Sequence, residues 1–74
     1  MITNAETAKQ VRDVMLEVNH KLEESLKAVE VSCSSEEFAQ YKKAIGKVVA
    51  RLLFDVLEPL YEKNPTLKPP NWDQ

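Results

Sequence analysis

The 74-residue sequence predicts an all-α fold, an antiparallel helical hairpin, and three observations carry that prediction. Two long segments repeat their apolar residues at helical spacing, each opens on a capping signature, and only a short run of β-branched and hydroxyl residues separates them. A chain of this length buries only about 60% of the surface its unfolded form exposes, so a single hairpin has little core of its own and pairing of two copies into a four-helix bundle is the expected remedy.

The first helix is expected over about residues 4–30. Thr3 and Glu6 have the spacing of a capping box, in which hydroxyl and carboxylate each satisfy the other's backbone N–H. Ala8, Val11, Val14, Met15, Val18, Leu22, Ser25, Leu26 and Val29 then fall within an arc of roughly 120°, the stripe of a helix packed on one side. Leu16 falls off that stripe. The pairs Glu17 with Lys21 and Glu23 with Lys27 have the favourable i,i+4 order.

Glu30 to Ser34 breaks the periodicity and reads as the connection. Ser34 and Glu37 form a second capping box, with Cys33 and Phe38 at the two positions of a hydrophobic staple. Cys33 is the sole cysteine, so an intrachain disulfide is impossible, and a structural role is expected for it rather than a reactive thiol.

The second helix is expected over about residues 35–62, and with the first it makes up a hairpin of residues 1–63. Its apolar residues, among them Ile45, Val48, Val49, Leu52, Leu53, Val56, Leu57 and Leu60, sweep roughly 240° on a regular helical wheel. One neighbouring helix cannot cover such an arc, so these eight residues are the expected interface with a second copy. Gly46 suggests either tolerated strain or a close helix contact. Pro59 predicts a kink, since its ring opposes the carbonyl of Asp55. A solvated sector containing Lys47, Arg51, Asp55, Glu58 and Glu62 argues against a membrane span.

Residues 64–74 form a proline-rich tail, expected to be extended, in which Leu67 and Trp72 are the candidates for docking near Leu57 and Tyr61. The net charge of −2 arises from interspersed acids and bases, which argues against a nucleic-acid partner. The N-terminal residues lack a basic region followed by an apolar run, so no secretory signal is read and a cytoplasmic location is the default.

No catalytic residue, metal ligand or cofactor is predicted. The one motif that invites a metal is Glu17-Val-Asn-His20, the E-x-x-H of di-iron bundles, but His20 lies about 180° from the centre of the apolar stripe, whereas such ligands project into the bundle core. The expected function is that of a small non-catalytic homodimeric protein–protein interaction module: an adaptor, a regulator or a chaperone-like subunit. The alternative is an obligate subunit of a hetero-oligomeric helical complex, whose partner is another helical protein. An enzyme is the third class.

Overall fold

The computed structural model describes residues 1–69, and every regular element among them is helical. Helix α1 spans Ala5–Ser32 and α2 spans Ser35–Arg51. A π-helical segment, Leu52–Leu57, continues α2 without interruption into α3, Glu58–Lys63, and a 3-10 turn follows at Pro65–Leu67. The molecule is a rod of 44 × 20 × 19 Å, its long dimension close to the ~42 Å that 28 residues span at 1.5 Å each.

Helix α1 begins one residue later than the sequence suggested. Asn4, not Thr3, is the N-cap, and its side-chain oxygen accepts from the Thr7 N–H at 3.0 Å. Asparagine outranks threonine as a cap, so the short amide displaces the Thr3–Glu6 box. The helix also runs on through Val31 to Ser32, which shrinks the connection to Cys33 and Ser34. The second capping box is present in full: the Glu37 N–H donates to Ser34 Oγ, and the Ser34 N–H donates to Glu37 Oε1, both at 3.1 Å. Cys33 is exposed beside it.

Where the two helices face each other, Ser25 Oγ and Tyr41 Oη lie 2.8 Å apart and set the antiparallel register. Ile45, one turn on from Tyr41, is buried. The main core sits at the other end, where Ala8, Leu52, Leu57, Leu60 and Tyr61 form one buried cluster. Ile2, Val11, Met15, Leu53 and Leu67 pack around it.

The π segment explains how that cluster forms. The Leu52 N–H is shared between the carbonyls of Val48 and Val49, and the Glu58 N–H reaches back five residues to Leu53. An i→i+5 stretch accommodates one more residue than an α-helical turn, which sets everything downstream back by one residue's rotation, about 100°. On a regular wheel Leu57 and Tyr61 would point away from the Ile45–Leu52 stripe, and Leu60 would lie at its margin. After the shift they share it, and all three are at most 3% exposed. Pro59 follows directly: the carbonyl its ring would oppose, that of Asp55, lies inside the widened segment. The departure from α geometry therefore lies upstream of Pro59, and the chain stays helical to Lys63.

The tail corrects a further expectation. Pro65–Leu67 is a 3-10 turn rather than extended chain, closed by Leu67 N–H to Asn64 O and Lys68 N–H to Pro65 O. Buried Asn64 anchors it, donating through Nδ2 to the Ile2 carbonyl at 2.7 Å and to the Leu60 carbonyl at 3.2 Å. That amide ties the two ends of the described chain together.

Candidate interaction surface

The eight residues expected to form an interface have different fates. Ile45, Leu52, Leu57 and Leu60 are buried within the chain itself, so the surface of a single copy does not include them. Val49, Leu53 and Val56 are half-buried, and Val48 is 48% exposed. Much of the wide arc is thus consumed by α1, because the π segment turns its downstream part onto the same neighbour. Leu67 packs against the core cluster that contains Leu57 and Tyr61. Trp72, the other docking candidate, lies outside the described residues.

Among the described residues, apolar surface remains on both edges of the hairpin. One stretch runs along the outer side of α2 and the π segment, where Phe54 is 63% exposed beside half-buried Val49, Ala50 and Leu53. Gly46 continues it one turn earlier. A Cβ built on Gly46 would meet nothing within 4 Å, so the close helix contact that glycine could have signalled is not made within the chain.

The second surface straddles the opposite edge of the hairpin. Val14 and Val18, expected in the buried stripe of α1, are exposed, because α1 has one neighbour and its contact face centres on Ala8, Met15 and Leu22. Seven residues back from Ser25 and seven on from Tyr41, the register places Val18 level with Val48. The handedness of two antiparallel helices puts both on one edge. Leu16 is exposed on the outer side of α1.

Six polar side chains hold the hairpin. Asn4, Ser34 and Glu37 cap helices, Ser25 and Tyr41 join them, and Asn64 fastens the termini. His20 is solvent-exposed on the outer face of α1, with Nε2 2.8 Å from Glu24 Oε1. No group of three His, Cys, Asp or Glu among the described residues is arranged to hold a metal ion. Glu23, Leu26, Lys27, Glu30 and Phe38 line an open groove of about 280 Å³ near the turn. The Lys42 ammonium lies 5.9 Å from the centre of the Phe38 ring beside it. No described helix is long and apolar enough to cross a membrane.

Burial pushes the Tyr61 phenol above its ordinary value near 10, partly opposed by the positive charge of Arg12. Sequence reading missed both Arg12 and Asn64 as parts of the packed end, since neither lies on an apolar repeat.

No protein-family model matches the chain, and no curated protein or solved structure matches it.

Proposed function

We propose that the chain is a small non-catalytic interaction module that works as a homodimer, pairing through the outer side of α2 and the π segment. The observation that carries this reading is Phe54, a large aromatic side chain left 63% exposed beside Val49, Ala50 and Leu53. Contiguous apolar surface of this kind is seldom left bare on a free chain. The use of Asn4, Ser25, Ser34, Glu37, Tyr41 and Asn64 in caps and helix links supports a structural role for these six. A cytoplasmic location goes with this reading.

A second reading, a subunit of a hetero-oligomeric helical complex, is favoured by Val14, Val18 and Val48, which the proposed self-pairing leaves uncovered on the other edge. Analytical ultracentrifugation over a dilution series tests the first reading. The wild-type chain is expected to be dimeric at micromolar concentration, and Phe54→Glu monomeric but helical. A wild-type chain that stays monomeric at every concentration would refute the homodimer.

A further inference from the structure

The outer side of α2 and the π segment carries a charge pattern as well as an apolar centre. Lys42 and Lys43 stand exposed at its N-terminal end, and Glu58 and Glu62 stand exposed at its C-terminal end. Between them lie Gly46, Val49, Ala50, Leu53 and Phe54. With the π segment counted in, helical rotation keeps these residues on one side of the rod.

We propose that this stripe binds a second copy of the chain in antiparallel orientation, about a two-fold axis at Ala50. The inference rests on the homodimer reading above and adds the direction and register of the pairing. Charge decides the direction. A partner for this surface must present acids opposite Lys42 and Lys43 and bases opposite Glu58 and Glu62, and the same chain run backwards does so. Parallel pairing sets lysine against lysine and glutamate against glutamate. Shape decides the register. Lys42 lies eight residues before Ala50 and Glu58 eight after, so a two-fold axis there brings each opposite the other. Phe54 lies four residues after Ala50 and Gly46 four before, so the exposed ring of one copy meets the open space over the glycine of the other. An isologous contact of this kind closes at two copies.

Three variants of the full chain test this by sedimentation equilibrium at low salt. Lys42→Glu with Lys43→Glu makes both ends of the stripe acidic, and Glu58→Lys with Glu62→Lys makes both ends basic. Each is expected to raise the dimer dissociation constant at least tenfold. An equimolar mixture of the two is expected to form a heterodimer, and the fourfold variant that carries both exchanges is expected to recover wild-type affinity. That recovery also excludes misfolding as the cause of the losses. A wild-type dimer indifferent to these exchanges, or one whose mixture forms no heterodimer, overturns the antiparallel pairing while leaving the homodimer in place. A monomeric wild-type chain overturns both.

Discussion

The two ends of the hairpin are held by different means. At the turn, Ser34 and Glu37 cap α2 and one hydroxyl pair joins the helices. At the terminal end, α1, the π segment, α3 and the 3-10 turn converge on a cluster in which Leu57 and Leu60 are fully buried and Asn64 closes the chain onto Ile2. A two-helix rod has too little width for a uniform core. This one concentrates its burial where a change in helical rotation lets one side of the second helix present successive large side chains to the first.

Substitutions should expose that asymmetry. Leu57→Ala or Leu60→Ala removes a fully buried leucine and is expected to cost about 2–5 kcal/mol. In so small a domain that is enough to abolish a cooperative thermal transition. Tyr41→Phe at the other end removes one interhelix hydroxyl contact, and a loss of only about 0.5–1.5 kcal/mol is expected, with the transition retained. Equal losses would mean that the core is not concentrated at the terminal end.

A smaller effect follows from Tyr61. Its phenol keeps its proton in the folded chain to a higher pH than in the unfolded chain. The folded state therefore binds more protons once pH passes about 10, and its stability falls as pH rises from there. Tyr61→Phe removes this dependence, so the drop in melting temperature between pH 9 and pH 11 should be smaller in the variant than in the wild type. An identical drop would show that burial of this phenol is not felt in stability.

Much of this architecture was legible in the sequence. Two apolar repeats and the Ser34–Glu37 box specify two helices and the place where the second begins, because capping and amphipathicity act over a few residues at a time. The π segment was not legible, because a helical wheel assumes the same rotation at every residue. Its trace was nonetheless present: Leu57 and Tyr61 fall off the Ile45–Leu52 stripe, Leu60 lies at its margin, and Pro59 lies among them. That displacement read as a 240° arc and made all eight apolar residues look like interface, although four of them fill the chain's own core. The stripe of Gly46, Ala50 and Phe54, four residues apart, shares one side of any helical wheel, but it stands apart from the core only once Leu57, Leu60 and Tyr61 are assigned to the chain's own interior. Asn64 left no signal beyond its place before a proline, and its value depends on Ile2, sixty-two residues away.

The π segment absorbs one residue, so that the second helix keeps facing the first. Two single-residue deletions at exposed positions test it, followed by circular dichroism and thermal unfolding. Deleting Asp55 removes the extra residue and an exposed ion pair with Arg51, which is worth little. The segment should become regular α-helix, with Leu57, Leu60 and Tyr61 still turned inward and a melting temperature within a few degrees of wild type. Deleting His20 from the regular α1 rotates Ala8, Val11 and Met15 by about 100° relative to Leu22 and Leu26, and should abolish the cooperative transition. If deletion of Asp55 is as damaging as deletion of His20, the π segment is not what brings the core together.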